Sequence, residues 1–166
     1  MKAVHKAEKK EDADAIMLIG TNPRLEAPVL NARIRKRYLS GGCTIGVIGE
    51  RADLTYPYAY LGDGPAALAD LAGHKKSRAR KPMFIIGQGA LSRPDGAAVL
   101  ATAMQAAQSI GVIKGDWNGF NVLHTAAGRV GALDVCALPT LPGGKDTSGI
   151  LRAAKAGSVE VVYLLG

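Results

Sequence analysis

The sequence is poor in the side chains that bind metal ions. Its two cysteines, Cys43 and Cys136, are far apart, and neither belongs to a CxxC pair. An iron–sulfur cluster requires about four thiolates, so this chain alone cannot bind one. We expect both cysteines to fill the core as small apolar groups. The three histidines share no ligand spacing either. No metal site is therefore predicted.

Long apolar segments are absent as well. The apolar run at residues 161–165 is far shorter than the ~20 residues that span a bilayer. Residues 1–14 are rich in charge, unlike a signal peptide, and we interpret them as a charged leader. Hydrophobic residues make up 48% of the chain and charged residues 21%, which excludes wholesale disorder. The sequence is typical of a soluble, intracellular protein.

Aromatic residues make up only 5% of the chain, although its net charge is +7. The basic residues cluster at positions 2–10, 33–37 and 74–81. None of these clusters is interleaved with the aromatic side chains on which single-stranded nucleic acids stack. We interpret the clusters as solvated surface. An acidic protein partner is the alternative, and nucleic acid is disfavoured.

What the chain does contain is a recurring aliphatic run closed by glycine. Such runs are typical of strands buried on both faces of a parallel sheet. Four are predicted, at Ala15–Ile19, Thr44–Ile48 and residues 83–86 and 161–165. Helical segments lie between them, and alternating strands and helices predict an α/β fold of βαβ units around a parallel sheet.

The helices are predicted from apolar spacing and from their terminal residues. The best defined has Leu30, Ile34 and Tyr38 as a buried stripe, with Arg33 and Arg37 exposed. The others are predicted from Asp63, over residues 95–110, over residues 120–135, and from Asp146 to residue 156.

A weak internal repeat predicts the domain organisation. Residues 16–30 resemble residues 83–100, since each segment has a strand, a glycine turn, an arginine, a proline and a helix. We therefore expect two related α/β halves, residues 15–79 and 80–166, with a basic linker at residues 73–81 as the boundary between them. The last run closes at Gly166, where the loop after a parallel strand would begin, so the second half is expected to be truncated.

Two turns occupy the position at which parallel sheets bind phosphate groups. The sequences GTNPR (residues 20–24) and GQGAL (residues 87–91) each follow a strand and precede a helix. Neither completes GxGxxG, so both are more typical of ordinary turns. No serine lies in a GxSxG context. The residues alone predict an α/β domain without catalytic residues.

Four longer segments carry a family resemblance. They are DADAIMLIGTNPRLEAPVLNARIRKRY, ADLTYPYAYLGDGPAAL, KPMFIIGQGALSRPDGAAVL and GDWNGFNVLHTAAGRVGALDV. Together they resemble the family of large iron–sulfur subunits of NADH–quinone oxidoreductase (respiratory complex I). The resemblance runs from Asp12 to Gly166.

The resemblance implies a Rossmann-like region similar to molybdopterin-dependent oxidoreductases. In the molybdenum enzymes, two related α/β domains hold a pterin dinucleotide between them, whereas the complex I subunit keeps the fold as a structural element. The ancestral cofactor-binding positions would be Gly20, Thr21 and Asn22 after one strand, and Gly87, Gln88 and Gly89 after another. No catalytic or metal-binding residue is carried over, because the cysteine motifs of the full subunit are absent from this chain.

The function implied by the resemblance is that of a non-catalytic structural domain in the peripheral arm that carries electrons from NADH to quinone. Its partners would be the rest of the large subunit and other arm subunits, without nucleic acid or membrane insertion. It would lie on the cytoplasmic face of a bacterial inner membrane, or on the matrix side in mitochondria, and bind no cofactor itself. The alternative is a retained pterin- or dinucleotide-binding module. A small nucleotide-dependent enzyme is disfavoured, because the glycine fingerprints are missing.

Overall fold

The fold is that of a computed structural model, which describes residues 12–73, 78–126, 128–135 and 143–164. The first part of the chain forms β1 (Ala15–Ile19), α1 (Pro23–Glu26), α2 (Pro28–Leu39), β2 (Thr44–Ile48), β3 (Ala59–Gly62) and α3 (Pro65–Gly73). The next part forms β4 (Pro82–Gly87), α4 (Gln88–Leu91), α5 (Gly96–Ile110), β5 (Ile113–Lys114), β6 (Trp117–Asn118) and β7 (Phe120–Leu123). The helices α6 (Arg129–Asp134) and α7 (Thr147–Lys155) follow.

Five of the strands form one parallel sheet in the order β3-β2-β1-β4-β7. The predicted α/β class with a parallel sheet is therefore confirmed. The chain runs outward from β1 to β3 and then returns to the other side of β1 to form β4. This strand order is that of Rossmann-like sheets, and the reversal of direction places a topological switch point between β1 and β4.

The core lies on both faces of this sheet. On one face, Leu30 and Ile34 of α2 are buried in a cluster with strand residues such as Ile16. On the other face, Leu68 of α3 and the small residue Ala103 of α5 are buried in a second cluster. Strand residues contribute to both clusters, which is why the strands read as continuous aliphatic runs rather than as alternating patterns.

Both cysteines were predicted to lie in the core, and the structure tests this prediction for Cys43. Cys43 is 7% exposed and belongs to the cluster that includes α2, as expected. Its burial raises the pKa of the thiol. Cys136 lies outside the described residues, as do residues 1–11, 74–77 and 165–166, which include parts of the predicted leader, linker and last strand.

The compact units of the chain differ from the predicted halves. The chain divides between Thr125 and Ala126 instead of near residue 80. The physical reason is that β1 and β4, from the two predicted halves, are adjacent in one sheet. The Asp14 carboxylate also accepts hydrogen bonds from the backbone N–H groups of Arg80 (2.6 Å) and Lys81 (2.8 Å). The end of the basic linker therefore leads into the same sheet instead of separating two.

Two predicted elements are wrong. The helix expected over residues 120–135 begins with strand β7, which pairs with β4, and helix α6 starts only at Arg129. Phe120 and Val122 suit a strand, and pairing with the buried strand β4 overrides the helical interpretation.

The strand expected over residues 161–165 is absent from its described part, residues 161–164. There Val161 is 82% exposed, Tyr163 is 82% exposed and Leu164 is 88% exposed. A strand requires a neighbouring strand for its backbone hydrogen bonds, and none is paired with this segment among the described residues. An aliphatic run alone therefore did not define a strand.

The remaining helices follow the predicted pattern closely. Helix α5 ends at Gly111, which adopts the left-handed conformation (φ 79°) that glycine favours. Helix α7 begins after Asp146, whose carboxylate accepts a hydrogen bond from the Gly149 N–H at 2.6 Å. Within the described ranges, no helix is both long and apolar enough to cross a membrane.

The exposure predicted for Arg37 is also wrong. Leu30 and Ile34 are buried and Arg33 is exposed, as expected for the stripe on α2. Arg37, however, is half-buried and donates hydrogen bonds from Nε to the Ala13 carbonyl (2.7 Å) and from Nη1 to the Gly41 carbonyl (2.7 Å). It thereby joins the carboxyl end of α2 to the segment that enters β1.

These contacts predict how strongly three substitutions in α2 would lower the free energy of unfolding. Ile34→Ala should lower the free energy of unfolding by about 2–5 kcal/mol, because it leaves a cavity in the core. Arg37→Ala should cost about 1–3 kcal/mol, because two carbonyl groups lose their donor. Arg33→Ala, the exposed control, should change it by no more than about 0.5 kcal/mol. Urea unfolding would measure all three, and equal losses for Ile34→Ala and Arg33→Ala would contradict the helix register.

Candidate functional site

A cleft of about 470 Å³ lies at the carboxyl edge of the parallel sheet. Its walls come from the segments that follow β1, β2, β3 and β4, and it therefore lies at the switch point, where ligands bind in open α/β sheets. Polar side chains on its walls include Thr21, Asn22, Glu50, Arg51 and Asp63.

The structure places only some of the sequence-predicted site residues on this cleft. Gly20, Thr21, Asn22 and Gly89 line it. Gly87 ends β4 and packs against the turn that follows β1.

Gln88 is engaged elsewhere at the same edge of the sheet. Its Oε1 lies 3.2 Å from Nδ1 of His124, the residue that follows β7. The two predicted turns are thus adjacent, but the six predicted residues do not form one binding surface.

Close packing explains the glycines of these two turns. A Cβ atom on Gly87 would overlap the Gly20 carbonyl oxygen and would lie 2.8 Å from Cβ of Thr21. Gly20 itself has φ +55°, and a Cβ there would lie 2.6 Å from Cβ of Ala90. Glycine is therefore required because two backbone turns meet at the switch point, independently of any ligand.

Two backbone donors near the cleft are already used within the protein. The Gly20 N–H donates to the Ile48 carbonyl at 2.8 Å, and the Gly49 N–H donates to the Gly62 carbonyl at 2.8 Å. These bonds join the ends of neighbouring strands, so neither donor is directed at a ligand.

Helix α1 has its own internal acceptor at its start. The Asn22 N–H donates to a carboxylate oxygen of Glu26 at 2.6 Å, and the Arg24 N–H donates to the Asn22 side-chain oxygen at 3.2 Å. Glu26 therefore places its own negative charge at the start of α1.

The charges on the cleft are mixed, and two of its cations contact other side chains of the protein. Arg51 lies over the ring of Tyr60, with its guanidinium carbon 3.7 Å from the ring centroid. Arg93 forms an ion pair with Asp95 at 2.8 Å, and its hydrogen bond lowers the pKa of the Asp95 carboxyl. Glu50 and Asp63 add negative charge to the walls.

A further ion pair links α1 to the loop after β2. Arg24 contacts the Asp53 carboxylate at 2.5 Å. The pKa of Asp53 is lowered, first by the backbone hydrogen bond from Thr55 and then by the side-chain hydrogen bond from Arg24. This pair links the loop to the helix.

The groups described above offer few free donors to the pterin dinucleotide implied by the resemblance. Its pyrophosphate requires free backbone N–H groups at a helix start or unpaired cations, and the N–H groups of Gly20, Asn22 and Arg24 already donate within the protein. Among the described residues, one buried side-chain polar atom lacks a partner, the Thr21 hydroxyl oxygen. A single hydroxyl cannot replace that set. No group of three or more His, Cys, Asp or Glu residues that could hold a metal ion occurs in the described part of the chain.

Sequence reasoning missed the walls contributed by β2 and β3. Glu50 and Arg51 follow the Val-Ile-Gly run that predicted β2, and Asp63 follows Gly62 at the end of β3. The signal that could have found them is their shared position after a strand, because the carboxyl ends of parallel strands meet at one edge. The sequence-predicted site includes only the turns after β1 and β4.

Comparison with known proteins gives consistent matches over nearly the whole chain. A family model described as molybdopterin oxidoreductase matches residues 5–166. The chain is 41% identical over 133 residues (76% of this chain) to the NADH-ubiquinone oxidoreductase 75 kDa subunit of Reclinomonas americana. It is 44% identical over 131 residues (75% of this chain) to the mitochondrial 78 kDa subunit of the same enzyme from Neurospora crassa.

A third relative aligns over more of the chain. The mitochondrial NADH dehydrogenase (ubiquinone) iron-sulfur protein 1 of Solanum tuberosum is 35% identical over 162 residues, which is 94% of this chain. The alignments cover 19%, 18% and 20% of the three relatives, so the chain spans about a fifth of the length of the curated relatives it matches.

Substitution of two glycines would test whether Gly87 is required for close packing of the turns. Gly87→Ala should destabilise the protein by about 1–3 kcal/mol or more, because the added methyl group overlaps the turn after β1. Gly89→Ala is the matched control, since no atom lies within 4 Å of the position that its Cβ would take and its φ is not positive. It lies in α4 and should be neutral or stabilising by up to about 1 kcal/mol. Thermal unfolding would compare them, and a tolerated Gly87→Ala would contradict the packing role.

Proposed function

Because the chain belongs to the molybdopterin oxidoreductase family, we propose that it is a non-catalytic structural domain of the large iron–sulfur subunit of NADH–ubiquinone oxidoreductase. The names of the three relatives support this assignment, since all are subunits of that enzyme. The full subunit would bind iron–sulfur clusters through other segments, and this domain would bind none.

The observation that carries the non-catalytic role is the internal use of hydrogen-bond donors at the switch point. Oxidoreductases transfer electrons or hydride through cofactors that the protein must bind and orient. Here the Glu26 carboxylate accepts the Asn22 N–H at the start of α1, and the Gly20 N–H is bonded to β2. These bonds within the edge of the sheet support a domain that holds no cofactor there.

The partners would be the remainder of the large subunit and other subunits of the peripheral arm. Two of the relatives are mitochondrial by name, which supports a place on the matrix side where the complex is organellar. In a bacterial cell the equivalent place is the cytoplasmic face of the inner membrane. Nucleic acid and direct membrane insertion have no part in this proposal.

One observation favours a second function, retained binding of a pterin or a dinucleotide. The Thr21 hydroxyl oxygen is buried without a hydrogen-bond partner and belongs to a residue that lines the cleft. A buried unpaired hydroxyl costs free energy, and a ligand acceptor would relieve that cost. The two functions differ in what happens when this hydroxyl is removed.

Purification of the native assembly tests the proposal. The chromosomal gene for the chain would be tagged in its source organism, and the assembly would be analysed for subunits, molybdenum and extracted pterin or nucleotide. We expect co-purification with the other subunits of NADH–ubiquinone oxidoreductase, without stoichiometric molybdenum or pterin assigned to this domain. The purified chain should not oxidise NADH with ferricyanide as acceptor.

Thr21→Val is the discriminating variant in the same preparation. If the domain is structural, the isosteric change should leave assembly unchanged and should not lower stability, because an unpaired hydroxyl is lost. If the domain binds a ligand, one pterin or nucleotide per wild-type chain should be found, and its occupancy should fall in Thr21→Val. That second result would overturn the structural proposal.

A further inference from the structure

The cleft at the carboxyl edge of the sheet is lined by carboxylates from three separate segments. Glu26 belongs to α1, Glu50 to the loop after β2, and Asp63 to the turn before α3. We define the acidic wall of the cleft as these three residues. Because they are distant in sequence, it is the fold that brings them to one cavity.

The net charge of the cleft lining is negative, although that of the whole chain is +7. Two guanidinium groups line the cleft together with the acidic wall, those of Arg51 and Arg93. Arg93 is already neutralised by its ion pair with Asp95 at 2.8 Å. A cavity whose charge is opposite in sign to that of the protein favours a cationic ligand over an anionic one.

The acidic wall has free acceptor positions. Glu50 and Asp63 make no hydrogen bond or ion pair with any residue that the structure describes. Glu26 accepts one hydrogen bond, from the Asn22 N–H. An ionised carboxylate has about four acceptor positions on its two oxygens. The wall can therefore accept several N–H groups of an organic cation.

A second feature of the cleft is independent of these charges. The Thr21 hydroxyl oxygen is buried without a partner in the described part of the chain, and Thr21 lines the cleft. A buried unpaired hydroxyl costs free energy, which a ligand N–H group would relieve. Buried aliphatic side chains complete the lining, namely Ile48, Leu68 and Val99. They suit the hydrocarbon stem of a ligand that carries its charge at one end.

An organic cation fits this lining better than a metal ion does. A metal ion requires several oxygen ligands close to one point, and the described residues contain no group of three or more His, Cys, Asp or Glu that could supply them. The volume of about 470 Å³ lies within the range of roughly 300–1,000 Å³ that is typical of small-molecule sites.

We propose that the cleft binds an organic cation, an alkylguanidinium or alkylammonium group. Its N–H groups would donate to the acidic wall and to the Thr21 hydroxyl, and its stem would pack against Ile48 and Leu68. Two sources carry this chemistry, a free polyamine and an arginine or lysine side chain of a neighbouring subunit. The inference goes beyond the proposed structural function, which does not require an occupied cleft.

Agmatine is the probe, because it carries a guanidinium and an ammonium group on one aliphatic stem. It is titrated into the purified chain and followed by calorimetry and by the backbone amide shifts in NMR spectra. Butanediol is the neutral control and inorganic pyrophosphate the anionic one. The variants are Thr21→Val and the double variant Glu50→Gln with Asp63→Asn. Asp116→Asn is the matched control, since Asp116 is exposed and does not line the cleft.

We expect saturable binding of agmatine with amide shifts at residues that line the cleft, and no binding of butanediol. The double variant should weaken binding about tenfold or more, because two ion pairs are lost. Thr21→Val should weaken it about threefold or more, because the hydroxyl acceptor is lost. Asp116→Asn should bind agmatine like the wild type. Circular dichroism of each variant establishes that it is folded.

The native assembly distinguishes the two sources. A free polyamine would be found by mass spectrometry in the extract of the purified assembly, and its amount would fall in the double variant. A side chain from a neighbouring subunit would be found by a photo-crosslinking amino acid in place of Leu25, which lines the cleft and is 77% exposed. The crosslinked peptide should then contain arginine or lysine.

Two kinds of result would overturn the inference. One is agmatine binding that is no stronger than that of butanediol, or weaker than that of pyrophosphate. The other is an affinity for agmatine that is unchanged in the double variant or in Thr21→Val. Either result leaves the structural function in place if the wild-type chain co-purifies with the assembly. A chain that binds agmatine but does not co-purify would overturn the structural function alone.

Discussion

The contact on which the rest of this structure depends is the approach of two backbone turns at the centre of the sheet. The turn after β1 and the end of β4 meet at Gly20 and Gly87 with no space for a Cβ atom on Gly87. Strand β1 is central, and the Gly20 N–H is also bonded to the carbonyl of Ile48 at the end of β2. The turn after β1 therefore joins three neighbouring strands at their carboxyl ends, and this contact shapes the cleft.

The same contact also determines which backbone N–H groups are available to a ligand in the cleft. A backbone N–H group donates to one good acceptor at a time, so a donor used between strands does not serve a phosphate group. At the start of α1, the Glu26 carboxylate likewise accepts a hydrogen bond from the Asn22 N–H. The features that usually make such an edge a ligand site, namely a glycine turn and a helix start, are present here as parts of the scaffold. These donors are thus used within the protein, although the family model that matches the chain is described as molybdopterin oxidoreductase.

The strands in the centre of the sheet could be predicted from the sequence, whereas the strands at its margins could not. Strands β1, β2 and β4 lie inside the sheet and are largely buried, so their aliphatic composition predicts them directly. Strand β7 depends on pairing with β4. The described part of the last aliphatic run, residues 161–164, does not form a strand because it has no paired neighbour among the described residues. Such pairing is a tertiary interaction that local composition does not contain.

The candidate site could likewise be predicted only in part from the sequence. Glycine turns after β1 and β4 were visible in the sequence, but the use of their donors by Ile48 and Glu26 was not, because it depends on three-dimensional approach. Arg37 illustrates the point for a single residue. Its helical position predicts exposure, whereas its long side chain reaches the carbonyl groups of Ala13 and Gly41.

A structural domain in an assembly benefits from surfaces whose orientation is fixed before binding. Helix α2 is held on its inner side by Asn31, whose amide donates to the Leu54 carbonyl at 3.1 Å and accepts from the Tyr56 hydroxyl at 2.7 Å. It is held at its carboxyl end by Arg37. Binding to a helix that is already ordered avoids the entropic cost of ordering it. The internal hydrogen bonds at the switch point and along α2 therefore belong to one scaffold, which fixes the orientation of the surfaces that the domain exposes.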